Sequence, residues 1–198
     1  MIDTLYLSYP GVHGSGEIYL DVMRAICGDT SDKAMLDLMC HKAPYTSQLG
    51  FKERTYVDVL NRPLDNKQEQ QFFVQQDVFS FLVENSDRKW DVIICSDGIE
   101  HLKKDAGHDL IFSLQFISGK HIIFTPTFDR NINPSSDDPD IHKSSWRTRD
   151  LEESHAIIYF PDFHPTLDQG AFFAFKCKDV KDEFERVKNE LKDKAWAK

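Results

Sequence analysis

Four aspartates recur at intervals of about 20 residues in the first half of the chain, each where a short apolar run ends. They are Asp37, Asp58, Asp77 and Asp97. If these runs are parallel strands, the four carboxylates lie at one edge of a sheet, where open α/β sheets bind ligands. A carboxylate in the second position can accept both hydroxyls of a ribose, one in the third position an adenine amino group, and one in the first can face a cationic amino group. The other interpretation is that each aspartate only caps a helix or forms a turn.

The apolar runs predict the sheet that positions these residues. Several of them, such as VIIC at 92–95, are continuous rather than alternating, which is typical of parallel strands buried on both faces. Segments whose apolar residues recur at helical spacing lie between these runs. The pattern therefore predicts an α/β fold: a Rossmann-like, seven-stranded, mostly parallel sheet with helices on both faces and an antiparallel last strand. The predicted strands are 34–39, 55–59, 72–76, 91–95, 121–125, 156–160 and 171–177.

Composition narrows the class of protein further. The chain has 198 residues and is 40% apolar, so we expect a single domain over residues 1–198. A net charge of −9 argues against broad nucleic-acid binding, since such a surface repels phosphate backbones. No apolar run approaches the ~18 residues of a membrane span. The four cysteines include no C-x-x-C pair, so we expect free thiols and a cytoplasmic protein without a membrane partner.

Three segments carry a resemblance to a known family. WDVIICSDGIEHLKKDAGHDLI (90–111), HIIFTPTFDRN (121–131) and HKSSWRTRDLEE (142–153) resemble class I S-adenosylmethionine (SAM) methyltransferases of the small bacterial and phage type. The first matches the fourth-strand region with its Glu-His pair, and the second matches the Thr-Pro-Asn turn, with Thr127 in place of Asn. The third matches a His-x-Ser-x-Trp element. With MLDLMC and YVDVL, the resemblance covers roughly residues 16–177.

The resemblance implies a function and a set of site residues. The function is methyl transfer from SAM to an acceptor that the sequence does not identify. Asp58 would bind the ribose hydroxyls, Asp77 with Val78 the adenine, and Asp37 the methionine part. The cofactor-binding residues implied are Asp37, Met39, His41, Asp58, Asp77, Val78 and Ser96. The catalytic residues implied are Asp97, His101 and His142.

One loop departs from the family pattern. After its first strand the family has acidic-x-Gly-x-Gly-x-Gly, because glycines let the backbone approach the cofactor closely. Here Met39, His41 and Ala43 occupy the three glycine positions. We expect Met39 and His41 to crowd the methionine end unless the loop moves. A non-catalytic, methyltransferase-like module that binds a partner and has lost SAM binding is therefore an alternative.

The histidines suggest a second alternative. Small-RNA 2′-O-methyltransferases carry Glu-x-x-Glu-His here and a later His before a Trp, and they hold a divalent metal with those side chains. Asp97, Glu100, His101 and His142 would take these parts in a metal-assisted RNA 2′-O-methyltransferase. Glu-His is also common in metal-free members, so our main expectation includes no metal. A nicotinamide-dependent oxidoreductase is disfavoured because no Gly-x-Gly-x-x-Gly turn is present.

Overall fold

The computed structural model describes residues 4–8, 16–65, 71–127, 132–163, 170–192 and 194. Strands and helices alternate along most of this part of the chain. The strands are β1 (Thr4–Tyr6), β2 (Ala34–Leu38), β3 (Glu53–Asp58), β4 (Gln71–Gln75), β5 (Trp90–Ser96), β6 (Ser118–Pro126), β7 (Ala156–Phe160) and β8 (Ala171–Cys177). The helices are α1 (Gly16–Cys27), α2 (Val78–Glu84), α3 (Lys104–Ile117) and α4 (Val180–Lys192).

The strands form one sheet in the order β1-β7-β8-β6-β5-β2-β3-β4. Strand β8 runs antiparallel to both of its neighbours, and all the other described pairs are parallel. All seven predicted strands are present, but the predicted strand count is wrong, because the sheet has eight strands. The additional strand is β1, which pairs with β7 at the edge of the sheet. Its three residues are too few to produce a recognisable period in the sequence.

Helices cover both faces of the sheet, as predicted. Helices α1 and α4 bury one apolar stripe each against the first face, and α2 and α3 do the same on the second. Within β6, Ile122 and Phe124 join the first core while Ile123 joins the second. Both faces are thus apolar, which explains the continuous apolar runs. Each large side chain buried in this way stabilises the fold by about 1.5–3 kcal/mol before the loss of conformational entropy is counted.

Two expectations from composition concern the helices and the cysteines. Among the described residues, no helix is both long enough and apolar enough to cross a membrane. All four cysteines are free thiols. Cys27, Cys40 and Cys95 are buried and Cys177 is half-buried. Cys27 and Cys40 belong to the first core and Cys95 to the second, where they act as small apolar side chains.

Candidate functional site

A cavity of about 600 Å³ opens at the carboxyl ends of β2, β3 and β5. Its size is typical of a site for a small organic ligand or cofactor. The structure brings nine of the ten predicted site residues to its wall: Asp37, Met39, His41, Asp58, Asp77, Val78, Ser96, Asp97 and His101. The tenth, His142, is not in the wall, but its ring packs edge-on against that of His101 with centroids 4.7 Å apart. The roles of these residues stay predictions.

The loop after β2 has an unusual backbone. Met39, His41 and Ala43 have φ angles of +57°, +50° and +50°. This left-handed region favours glycine, because any other residue places its Cβ too close to the following carbonyl oxygen. The loop therefore has the conformation that glycines adopt easily, although its three left-handed residues are Met39, His41 and Ala43. Its surroundings hold it there, since the His41 N–H donates to Asp58 Oδ2 at 2.8 Å and the Cys40 N–H to the Val57 carbonyl at 3.1 Å.

The three side chains on this loop go to different places. Met39 is half-buried against the second core, beside Gly98, where an added Cβ would lie only 3.1 Å from Met39 Cβ. Ala43 is buried in the first core and His41 is exposed. A cavity remains next to the loop, and Met39 and His41 both form part of its wall, so the expectation that they crowd the methionine end stays a prediction.

Asp58 and Asp77 both hold backbone in addition to lining the cavity. Asp58 accepts hydrogen bonds from the N–H groups of His41 and Leu60, at 2.8 and 2.9 Å. Asp77 is the N-cap of α2 and accepts from the N–H groups of Phe79 and Ser80. Asp77 therefore caps a helix and also lines the cavity, and its role towards a ligand stays a prediction. A carboxylate has about four acceptor positions, so both groups retain capacity for a ligand.

Asp37 is the most deeply buried of the four aspartates, with an exposed fraction of 1%. Its Oδ2 accepts a hydrogen bond from the Thr46 hydroxyl. Its Oδ1 has no hydrogen-bond partner among the residues that the structure describes. Burial raises the pKa of Asp37 to about 7, and the nearby Asp58 carboxylate acts in the same direction.

Asp97 follows β5 and also has a left-handed backbone, with φ at +48°. Burial raises its pKa to about 7, against the opposing effect of a hydrogen bond from Ser96. Ser96 in turn contacts the hydroxyl of Tyr19, a residue of α1 whose pKa burial raises well above its usual range. The cavity floor is thus a connected set of a carboxyl and two hydroxyl groups.

A cluster of possible metal ligands lies beside this floor. Glu100, His101 and His142 each offer a ligand atom, and these atoms lie within 4.8 Å of one another. Glu100 is buried and accepts from the Thr125 hydroxyl at 3.0 Å. Burial, and then the neighbouring His142, lower the pKa of His101, which favours the neutral imidazole that binds metals.

Sequence reasoning missed several residues of the cavity wall. Tyr19 belongs to an amphipathic helix, and nothing in the helical period distinguishes it from a core residue. Arg62 follows β3, and its Nη2 binds both carboxylate oxygens of Asp140, at 2.6 Å. This ion pair joins two loops that both contribute to the cavity wall, 78 residues apart in the chain. No sequence signal pairs such distant residues.

The chain matches no family model and no curated protein sequence. It is similar to solved structures of methyltransferases. A DhpI complex with S-adenosylhomocysteine (SAH) aligns with a TM-score of 0.56 and 17% identity over 81% of this chain and 83% of that chain. The N-methyltransferase NodS from Bradyrhizobium japonicum WM9, also with SAH, aligns at 0.55 and 13% over 83% and 97%. The methyltransferase domain of bacterial CtHen1-CN aligns at 0.51 and 15% over 81% and 96%.

At these identities the similarity establishes the fold. The chain has the fold of class I SAM-dependent methyltransferases, as the three sequence segments predict.

Proposed function

We propose that the chain is a SAM-dependent methyltransferase whose acceptor is yet to be identified. The observation that carries this proposal is the loop after β2. Met39, His41 and Ala43 keep the left-handed conformation in the three positions where the family has glycine. Such strain persists only where the surroundings impose it, and it is concentrated at functional sites.

The other features of the cavity fit the same cofactor. Its volume of about 600 Å³ suits a ligand of this size. Asp58 would accept the ribose hydroxyls, and Asp77 with Val78 would lie against the adenine. Structures with this fold include complexes with SAH, the demethylated product of SAM.

The reaction needs alignment more than chemical assistance. The acceptor atom attacks the methyl carbon opposite the sulfonium, the carbon–sulfur bond breaks, and its electron pair stays on sulfur as a neutral thioether. If the acceptor atom carries a proton, a base must take it. Asp97 borders this end of the cavity, and its raised pKa of about 7 suits a general base at neutral pH.

Calorimetric titration with SAM and SAH tests this proposal. We expect micromolar binding that weakens by about tenfold to a hundredfold in Asp58→Ala, since a hydrogen bond to a charged group contributes about 1.5–3 kcal/mol. Asp109→Ala, on the exposed face of α3, is the matched control and should bind as the unaltered chain does. Thermal unfolding of each variant verifies that it is folded. Absence of binding at millimolar ligand would refute the enzyme proposal and favour the non-catalytic module.

The metal-ligand cluster supports a second candidate, a metal-assisted RNA 2′-O-methyltransferase. One carboxylate and two imidazoles, from Glu100, His101 and His142, form a donor set that Mn²⁺ accepts. The structures that share this fold include a small RNA methyltransferase, HEN1, at a TM-score of 0.53 and 14% identity over 86% of this chain and 26% of that chain. With a net charge of −9, an RNA acceptor would be held by local contacts near the cavity.

Titration with Mn²⁺, followed by electron paramagnetic resonance, tests the second candidate. We expect one ion per chain and at least tenfold weaker binding in His142→Ala. His108→Ala is the control, because His108 is exposed and lies outside the cluster. Equal binding by both variants, or none at millimolar Mn²⁺, would remove this candidate and leave the SAM-binding test unaffected.

A further inference from the structure

The outer surface of α3 carries an apolar patch. Phe112 and Phe116 have exposed fractions of 63% and 59%, and their rings stack edge-on with centroids 5.2 Å apart. They lie on the side of the helix opposite to the sheet, because Leu110 and Leu114 of the same helix are buried in the second core. Two phenylalanine rings in contact on a solvent-facing helix are typical of an interaction surface, where aromatic residues are enriched.

The helix is acidic on the N-terminal side of this patch. Asp105 and Asp109 are both exposed. Residues 105, 109, 112 and 116 follow one another at intervals of three or four, so the two carboxylates and the two rings share one stripe of the helix. Neither carboxylate forms an ion pair within the part of the chain that the structure describes.

The surface is basic at the C-terminal end of the patch. Lys89, which precedes β5, donates from Nζ to the carbonyl of Phe116. Lys176 of β8 donates from Nζ to Gln115 Oε1 at 3.2 Å. Neither ammonium group is paired with a carboxylate among the described residues. The stripe therefore runs from negative through apolar to positive along the 14 residues of α3, a length of about 21 Å.

A surface with this charge order is complementary to itself. A two-fold axis through the patch sets two copies of α3 antiparallel, so that the rings of one copy pack on the rings of the other. The acidic end of each helix then faces the basic end of its partner, and the two helix dipoles are opposed, which is also favourable. A membrane or nucleic-acid surface, by contrast, is anionic and would repel Asp105 and Asp109.

We infer that the chain forms a two-fold symmetric dimer in which α3 packs antiparallel against α3 of a second copy. This inference goes beyond the proposed function and does not depend on it. None of the residues of α3 is among those that line the described cavity, so the cavity of each copy stays open in the dimer. A contact along one helix is small, and we expect a dissociation constant in the micromolar range.

Sedimentation equilibrium of the full chain at about 1–100 µM tests this inference. We expect a dimer whose dissociation constant rises at least about tenfold in Phe112→Ala with Phe116→Ala, because buried aromatic rings carry much of the binding energy of an interface. Both rings are exposed in the single chain and alanine suits a helix, so this variant should fold normally, which thermal unfolding verifies. Tyr6→Ala is the matched control, since Tyr6 is an equally exposed aromatic residue on the edge strand β1.

A pair of charge variants tests the antiparallel arrangement. Asp105→Lys with Asp109→Lys makes both ends of the stripe basic, and Lys89→Glu with Lys176→Glu makes both ends acidic. Each variant alone should be monomeric, because like charges would meet at both ends of the contact. Mixing the two should restore dimers that contain one chain of each kind, and native mass spectrometry identifies them by mass. A loss of folding in either variant would not be restored by mixing.

The results separate this dimer from other forms of association. A monomer at every concentration would overturn the inference, and so would a dimer that the phenylalanine variant leaves unchanged or that Tyr6→Ala weakens equally. If the mixed charge variants stay monomeric although both are folded, the antiparallel arrangement is wrong. None of these outcomes bears on SAH binding, and failure to bind SAH would leave the test of the dimer unaffected.

Discussion

Replacing His41 with glycine should stabilise the protein. His41 has a φ of +50°, and its side chain is exposed, so glycine would relieve backbone strain without exposing buried surface. The hydrogen bond from its N–H to Asp58 involves only the backbone at residue 41 and remains available. The substitution therefore isolates the conformational energy of this position.

The magnitude follows from two opposing terms. A left-handed conformation costs a residue with a Cβ about 1–2 kcal/mol. Glycine loses more conformational freedom on folding, which offsets about 0.5–1 kcal/mol of that gain. We expect the free energy of unfolding of His41→Gly to rise by about 0.5–1 kcal/mol. For a chain of this size, that corresponds to an increase in Tm of roughly 1–4 °C.

Urea and thermal unfolding measure this difference. Lys42→Gly is the matched control, because Lys42 is the exposed neighbour and is not among the residues with positive φ. It should lose about 0.5–1 kcal/mol, the usual cost of introducing glycine. The reasoning is refuted if His41→Gly is destabilised as Lys42→Gly is, since the backbone at residue 41 would then not be strained.

Two further predictions concern the interior. His121 and His155 are buried with their Nε2 atoms 2.9 Å apart, and burial lowers their pKa values to about 3 and 4 from the usual 6.5. The histidines of the unfolded chain are protonated at higher pH than those of the folded chain, so the free energy of unfolding falls as the pH drops below about 6.5. In urea unfolding, replacing both residues (His121→Gln with His155→Gln) should reduce the dependence of this free energy on pH by up to about 2.7 kcal/mol per pH unit between pH 6 and 5. An unchanged pH dependence would contradict the assignment. Gly107→Ala should lower the free energy of unfolding by about 1–3 kcal/mol, since the added methyl group would lie 2.5 Å from the buried Trp146 ring; an unchanged Tm would show that the ring can move aside.

The sheet was predictable because each strand can be recognised from its own short stretch of sequence. Each central strand is a continuous apolar run, and the spacing of Asp37, Asp58 and Asp97 reflects the repeat of strand and connection that aligns their carboxylates at one edge. The edge strand β1 escaped prediction because three residues carry no period. Its partner β7 lies more than 150 residues away in the chain.

The site was less predictable because its chemistry depends on backbone shape and on distant contacts. From the sequence alone, Met39 and His41 are expected to crowd the cofactor, because a left-handed loop is normally formed by glycine. In the structure the loop has left-handed backbone at both residues, and its N–H groups donate hydrogen bonds to Val57 and Asp58 of the neighbouring strand β3. The sequence left capping and ligand binding open for Asp77, and only the geometry shows that it caps α2 and that Tyr19 contacts Ser96.

The ion pair between Arg62 and Asp140 has a consequence for the two loops of the cavity wall that it joins. Arg62 belongs to the loop beside the predicted ribose site, and Asp140 belongs to the loop that leads to His142. A ligand that drew Arg62 away would break this contact with the second loop, and by thermodynamic reciprocity an acceptor that engaged Asp140 would alter affinity at the first loop. Because the side chain of Asp140 is 59% exposed, salt weakens this link. Ionic strength would therefore act on the link between the two loops as well as on the binding of each ligand.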